Sequence, residues 1–171
     1  ANQEQGVAQV KPGPDAMVTP TWRAPLKPSW NRTVIRRSVA HRQESLRVLT
    51  LVPNGSANGR LVVISHGLWG DTESFEGRGA VLAAQGFTVL LSEHPRSDFS
   101  QQSSMLAGYR PPPGPEELRL RPLDVSALLD AVESGRLLKG RVLNTKAVAV
   151  VGHSWGATTT LQLSGGVPTE R

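Results

Sequence analysis

Short apolar runs alternate with longer amphipathic stretches along the middle of the chain. Residues 61–65 (Leu-Val-Val-Ile-Ser), 87–92 (Phe-Thr-Val-Leu-Leu-Ser) and 147–151 (Ala-Val-Ala-Val-Val) are nearly continuous runs of apolar and β-branched residues. Such runs are typical of strands covered on both faces, as in parallel sheets. The sequence therefore predicts three buried strands.

Stretches with helical spacing follow each of these runs. The first covers about residues 75–85 and stops at Gly86, and the third covers about 155–163. The second is predicted over 122–134, with Pro122 at its first helical position. Its apolar face is assigned to Leu123, Leu128, Leu129 and Val132. Strands that alternate with helices predict an α/β fold, with a mostly parallel sheet and helices on both faces.

The N-terminal part has a different pattern. Residues 33–39 and 46–52 are β-branched, leucine-rich and partly alternating, which predicts antiparallel strands. Residues 1–30 contain five of the thirteen prolines and are predicted to form an extended leader. We therefore expect residues 31–171 to be the N-terminal portion of one α/β domain, with its remainder on a second chain or missing.

Composition and charge narrow the possible functions. Residues 1–50 hold eight Lys or Arg against three acidic residues, and the rest of the chain is balanced. This basic arm could contact phosphates or an anionic membrane surface, but solvated arginines on edge strands explain it more simply. No zinc-finger or RNP pattern indicates nucleic acid, and no apolar run of about 18 residues indicates a membrane span. The chain has no cysteine, which excludes disulfides, thiolate metal sites and a cysteine nucleophile.

The first residues suggest a cellular location. The chain opens with Ala1 and a polar stretch, a pattern that suits the mature end left by signal peptidase. We therefore expect a periplasmic or secreted protein.

The strongest chemical signal is residues 152–156 (Gly-His-Ser-Trp-Gly), at the junction of the third predicted strand and a helix. This is the context of a nucleophile elbow, which presents a serine hydroxyl above the carboxyl end of a sheet. Ser154 is the predicted nucleophile, and Gly152, His153 and Gly156 are predicted to shape the turn. The alternative is an inert serine in a structural turn.

A second signal is residues 65–70 (Ser-His-Gly-Leu-Trp-Gly), which follow the first predicted strand. An oxyanion hole takes one amide from the residue after the nucleophile and one from such an early loop. The matching amides are those of Trp155 and Leu68. Gly67 is expected to permit the unusual backbone that turns the loop inward, and His66 to pack beneath the loop.

A weaker signal follows the second predicted strand, in residues 92–98 (Ser-Glu-His-Pro-Arg-Ser-Asp). His94 and Asp98 could line a pocket or position substrate. A polar turn with a buried histidine is an equally good interpretation.

The residues of a Ser–His–acid triad are incomplete in this chain. Its histidines are His41, His66, His94 and His153, and all of them precede Ser154. An acid and a base that follow the nucleophile in chain order are the usual arrangement around such an elbow. We therefore expect both groups to come from beyond residue 171, on a second polypeptide or a missing segment.

Five segments together carry a family resemblance: residues 65–68, 86–89 (Gly-Phe-Thr-Val), 94–95 (His-Pro), 121–125 (Arg-Pro-Leu-Asp-Val) and 152–156. Over about residues 33–166 the chain resembles bacterial predicted dienelactone hydrolases, which are similar to the platelet-activating-factor acetylhydrolase branch of α/β-hydrolases. The resemblance implies an α/β-hydrolase fold and an esterase that cleaves short acyl esters or lactones without metal or cofactor. It implies Ser154 as nucleophile, where a dienelactone hydrolase proper has Cys, and the Leu68 and Trp155 amides as oxyanion hole.

The leading functional interpretation is a serine hydrolase acting on a small-molecule carboxylic ester. An amidase or peptidase of the same fold is one alternative. A non-catalytic binding protein on a hydrolase scaffold is another.

Overall fold

The structure, a computed structural model, describes residues 28–166 of the 171-residue chain. The elements in this part of the chain, in order, are β1 (Trp30–Arg37), β2 (Leu46–Pro53), β3 (Leu61–Ser65), α1 (Glu76–Ala84), β4 (Thr88–Glu93), α2 (Phe99–Leu106), α3 (Glu116–Glu133), β5 (Val148–Gly152) and α4 (Trp155–Leu163). A 3-10 turn, Glu73–Phe75, leads into α1. The proposed leader and the export pattern fall mostly on residues 1–27, outside the described residues, as does the segment 167–171.

The strands form one sheet in the order β1-β2-β4-β3-β5. Strand β2 is antiparallel to both β1 and β4, whereas β3 pairs in parallel with β4 and β5. The predicted parallel sheet with antiparallel strands at the N-terminus is therefore confirmed. In the register, Ser65 pairs with both Ser92 and Gly152. The carboxyl ends of β3, β4 and β5 thus lie in one row, and the loops that follow them meet at one edge.

Helices cover both faces of the sheet because alternate residues of each strand point to opposite sides. Val63 and Leu90 pack on one face against Val125 and Leu128 of α3. On the other face Ile64 and its neighbours pack against α1. The two apolar clusters hold the strand ends, and hence the loops beyond them, in fixed positions.

Helix α3 differs from the prediction. It begins at Glu116, so Pro122 lies inside the helix and not at its first position. Proline has no amide hydrogen to donate to the carbonyl four residues earlier, and it is therefore most common in the first turn of a helix. For this reason the sequence pattern predicted a helix that starts at Pro122. Leu123, which was assigned to the apolar face, is 48% exposed. The polar residues Glu117, Arg121 and Asp124 are buried in its place.

Helix α2 was not predicted, because residues 99–106 resemble a polar loop in composition. The N-cap signal is nevertheless present, since the Asp98 carboxylate accepts a hydrogen bond from the Gln101 amide at 2.8 Å. Helix α1 ends as predicted, with Gly86 at a φ of 92° just beyond it.

Strand β5 is the edge of the sheet within the described residues. It was predicted to be buried, yet its far edge is unpaired there and Val151 is 49% exposed. Between residues 28 and 166, no helix is long and apolar enough to cross a membrane.

Candidate active site

Ser154 lies between the end of β5 and the first residue of α4. Its backbone has φ 54° and ψ −118°, a conformation that residues other than glycine rarely adopt. The residue is exposed to solvent at the edge where the three parallel strands end. The chain therefore makes a sharp, strained turn that presents a hydroxyl, as the elbow pattern predicted.

The two glycines of the elbow are required by space. A Cβ atom on Gly152 would lie 2.0 Å from the carbonyl oxygen of Gly156. A Cβ atom on Gly156 would lie 2.0 Å from the carbonyl oxygen of Ser65, at the end of β3. Helix α4 can start this close to β3 because neither position carries a side chain.

The loop after β3 lies directly against the elbow. A Cβ atom on Gly67 would lie 3.1 Å from Nδ1 of His153 and 3.3 Å from Cβ of Ser154. Sequence analysis expected Gly67 to give the loop its unusual backbone conformation. The residue with a left-handed φ in this loop is instead Trp69, at 66°. The reason given for Gly67 was therefore wrong: the position needs room for the elbow.

The two amides expected to form an oxyanion hole flank this contact. The Trp155 amide is the first of α4, while the next three amides of that helix donate to the carbonyls of His153 and Ser154. In the loop, Trp69 donates to Ser97 and Gly70 donates to Gly67. Within residues 28–166, neither the Leu68 nor the Trp155 amide has a backbone acceptor of this kind.

His66 is buried and links the loop after β3 to the loop after β4. Its Nδ1 donates to the Gly67 carbonyl at 2.6 Å, and its Nε2 accepts from the His94 amide at 2.9 Å. These partners define the neutral tautomer with hydrogen on Nδ1. Burial holds the pKa of His66 well below its ordinary value, so the ring is uncharged at neutral pH.

His94 is fully buried, and both of its ring nitrogens have partners. Nδ1 lies 2.7 Å from Oδ2 of Asp124, and Nε2 lies 2.8 Å from Oγ of Ser65. Burial lowers the pKa of His94 to about 4. The neutral ring donates to the carboxylate through Nδ1, so Nε2 must accept a hydrogen bond from the Ser65 hydroxyl.

Ser65, His94 and Asp124 are hydrogen-bonded in series and are the residue types of a catalytic triad. Their burial excludes that role. Ser65, His94 and Asp124 are each 0% exposed, so no substrate can reach the Ser65 oxygen. These hydrogen bonds connect the end of β3 to α3 inside the protein.

Asp124 also fastens the loop between β1 and β2. Arg42 contacts both carboxylate oxygens, at 2.6 and 2.8 Å, and His41 lies 2.7 Å from Oδ1. Arg42 further donates to Glu117 at 2.8 Å. Burial would raise the pKa of Asp124, but hydrogen bonds from His94 and Arg42 hold it below its ordinary value. The carboxylate is therefore ionised and fully paired.

Sequence analysis did not assign a role to most of this buried cluster. The available signal was the segment 121–125, whose arginine and aspartate are three residues apart and so share one face of a helix. Their partners in the loops are distant in sequence, which is why the pattern alone could not identify them.

The Ser154 hydroxyl has no catalytic partner in the described part of the chain. Within residues 28–166, no imidazole or carboxylate is hydrogen-bonded to it, and no group of three or more His, Asp or Glu is placed to hold a metal ion. Beside Ser154 a groove of about 520 Å³ opens between α1 and the uncovered face of β5. It is lined by Ile64, Phe75, Arg78, Val81, Leu82, Val151, Gly152 and His153.

Comparison with solved structures shows which fold this is. A ferulic acid esterase from Streptomyces cinnamoneus superposes with a TM-score of 0.61 at 16% identity, covering 84% of this chain and 57% of that one. A dienelactone hydrolase-like promiscuous phosphotriesterase from metagenomic libraries gives 0.57 at 19% identity, covering 79% and 54%. Dienelactone hydrolase from Anabaena variabilis gives 0.53 at 19% identity, covering 79% and 57%.

No family model matches the sequence, and no curated protein matches it either. The chain spans little more than half the length of the structures above. The resemblance noted from the sequence is confirmed at the level of fold: the described residues form the N-terminal part of an α/β-hydrolase fold, in the arrangement shared with esterases and dienelactone hydrolase-like enzymes.

Proposed function

We propose that this protein is a serine hydrolase that cleaves small carboxylic esters, with Ser154 as its nucleophile. The observation that carries the proposal is the strained backbone of Ser154, a residue exposed to solvent. The amides of Leu68 and Trp155, which have no backbone acceptor in the described part, support it. Strain of this kind costs free energy and is found where function maintains it.

In the proposed reaction the Ser154 oxygen attacks the acyl carbon of the ester, and an imidazole accepts the hydroxyl proton. The negative charge that develops on the carbonyl oxygen is held by the amides of Leu68 and Trp155. The C–O bond to the alcohol then breaks as the imidazole returns its proton to the leaving oxygen. Water hydrolyses the acyl-enzyme by the same steps and regenerates Ser154.

The imidazole and its acid are proposed to come from the second half of the domain, on the same gene product or on a second polypeptide. Two features of the described chain support this arrangement. The far edge of β5 is open to a further strand, and the groove beside it exposes Val81 and Val151. Contiguous exposed apolar surface in a groove marks an interaction site.

The nature of the structural neighbours supports an ester substrate. They include a ferulic acid esterase and a dienelactone hydrolase, and both names describe hydrolysis of a carboxylic ester, which is cyclic in a lactone. Turnover of p-nitrophenyl acetate compared with a p-nitroanilide tests the preference directly. Turnover of the anilide alone would identify an amidase or peptidase.

Labelling with a fluorophosphonate tests the nucleophile in the full-length protein. We expect one label per molecule, lost in Ser154→Ala and retained in the control Ser56→Ala. Ser56 is also an exposed serine, near Gly86 at the opposite end of the parallel strands. Labelling that survives Ser154→Ala would refute the assignment, and a folded full-length protein that takes no label would identify a binding protein on this scaffold.

A further inference from the structure

Arg121 is a buried arginine that reaches the ends of two parallel strands from helix α3. Its residue is 0% exposed, and its Nη2 donates to the carbonyl of His66 and, at 3.4 Å, to the hydroxyl of Ser65. Its Nη1 donates to the hydroxyl of Ser97 at 3.2 Å. One guanidinium group therefore joins the loop after β3 to the loop after β4.

The same guanidinium also contacts the helix that carries the nucleophile. Its central carbon lies 6.0 Å from the centre of the Trp155 ring, at the limit of a cation–π contact. Gly156 of α4 packs closely against the backbone carbonyls of Ser65 and His66. The His66 carbonyl also accepts a hydrogen bond from Arg121. Arg121 is thus in contact with both segments that provide the two proposed oxyanion amides.

The buried chain behind Ser65 determines the direction of its hydrogen bonds. Asp124 accepts from His94, His94 accepts from Ser65, and the Ser65 oxygen is therefore left to accept from Arg121. Arg121 and Asp124 lie three residues apart on one face of α3. The segment 121–125 thus carries both ends of one hydrogen-bonded path.

Stability alone does not account for a charge at this position. Asp124 and Glu117 are already paired with Arg42, and within residues 28–166 Arg121 has no carboxylate hydrogen-bonded to it. Its Nε has no partner in that range, and burial lowers its pKa to about 10. The carboxylates of Asp124 and Glu117 attract this charge without bonding to it, but burial outweighs them. An apolar side chain of similar size often stabilises such a site equally well.

We propose that Arg121 is a positioning residue that holds the loop bearing the Leu68 amide against the elbow bearing the Trp155 amide. Ser65, His94 and Asp124 act with it by keeping Ser65 an acceptor. The inference rests on the proposed function for its catalytic consequence, because the two amides are the ones expected to bind the oxyanion. Its structural part, a loop held by Arg121, can be measured without turnover.

The test compares Arg121→Met and Arg121→Lys in the full-length protein with the control Leu128→Ala. Leu128 is a fully buried residue of α3 in the apolar cluster, away from the loops, so its truncation loosens the same helix. Rates are expressed per fluorophosphonate-reactive site, which removes the contribution of unfolded molecules. We expect Arg121→Met to lower kcat for p-nitrophenyl acetate about 10- to 100-fold, with KM changed less than about threefold.

Affinity for an alkyl trifluoromethyl ketone, whose adduct with Ser154 bears an oxyanion, should fall in proportion to kcat. Arg121→Lys keeps the charge but not the planar fork, and we expect it to recover part of the loss. Leu128→Ala should keep kcat per site within about twofold. An Arg121→Met protein with normal kcat per site and normal ketone affinity would overturn the proposal.

Amide hydrogen exchange supplies the readout that is independent of catalysis. The Trp69 and Gly70 amides are hydrogen-bonded in the loop, and we expect them to exchange at least about tenfold faster in Arg121→Met than in Leu128→Ala. Equal exchange in the two variants would show that Arg121 does not hold the loop. A wild-type protein without ester turnover would refute the proposed function, and the exchange comparison would still decide the role of Arg121 in the loop.

Discussion

Ser154 stores backbone strain that a glycine would release. A φ of 54° with a ψ of −118° costs a residue with a side chain about 1–3 kcal/mol, whereas glycine adopts it freely. Glycine also has a more flexible unfolded state, which offsets part of the gain. We therefore expect Ser154→Gly to exceed Ser154→Ala in free energy of unfolding by about 1 kcal/mol, measured by urea denaturation. Equal stability of these two variants would argue against strain at the elbow.

The buried His94 should make stability depend on pH. Burial lowers its pKa from 6.5 to about 4, so the unfolded chain binds a proton more readily than the folded protein between those values. Stability is therefore fully present above pH 6.5 and is lost as the pH falls toward 4. From pH 7 to pH 5 this residue alone accounts for a loss of about 2 kcal/mol.

The measurement is the free energy of unfolding at pH 7 and pH 5 for His94→Gln and Leu128→Ala. The glutamine variant should lose about 2 kcal/mol less than the leucine variant over this interval, because Gln does not titrate. The Leu128→Ala protein is also destabilised but keeps His94, so it controls for low stability itself. Equal losses in the two variants would show that His94 is not held neutral by the fold.

At the scale of elements, the start of α4 depends on a glycine that touches a strand. A Cβ atom on Gly156 would lie 2.0 Å from the Ser65 carbonyl oxygen, so alanine must push α4 away from β3. Gly77 in α1 is also helical, but a Cβ atom there has no neighbour within 4 Å among residues 28–166. We expect Gly156→Ala to destabilise the protein by about 2–4 kcal/mol and Gly77→Ala to stabilise it by up to about 1 kcal/mol. Similar effects of both changes on thermal unfolding would contradict the close packing of α4 on β3.

The elements that the sequence predicted well are those whose signal is local. The strands β3 and β4 and the helix α4 lie within a residue or so of their predicted bounds, because apolar runs and glycine stops report their own backbone. Helix α3 was predicted to begin at Pro122 because proline is common at that position of a helix. Its true first turns contain Glu117, which is held by Arg42 from a distant loop. No local pattern could contain that information.

The candidate site shows the same division. The elbow glycines and Ser154 form one short segment, so the sharp turn there could be predicted from sequence, and the role of Ser154 stays a prediction. The partners of Asp124 lie on two other loops, and its hydrogen bonds to His41, Arg42 and His94 exist only after the sheet has formed. The close approach of His153 and Ser154 to Gly67 is visible only in three dimensions.

On the scale of the whole molecule, the two edge strands of the sheet formed by the described residues differ in charge. Strand β1 is one edge of the sheet, and its arginines face solvent or form ion pairs, as Arg32 does with Glu76. Charged edge strands resist further pairing. Strand β5 has no charged residue, and Val151 faces the groove beside α1. The asymmetry supports addition of the second half of the domain at β5.

This arrangement predicts that two exposed valines respond differently to charge. Val151 lines the groove at the edge strand, whereas Val142 is 94% exposed in a loop and is absent from the groove lining. If the second half covers the groove, Val151→Lys places an unpaired ammonium group in an apolar interface. We then expect the full-length protein to lose about 2–4 kcal/mol of unfolding free energy and most of its Ser154 labelling, because the imidazole is no longer held near the hydroxyl. Val142→Lys should change stability by less than about 0.5 kcal/mol and leave labelling intact. Because both valines are exposed in the described chain, equal tolerance of lysine would mean that nothing docks on this face, and the source proposed for the histidine and the acid would then be wrong.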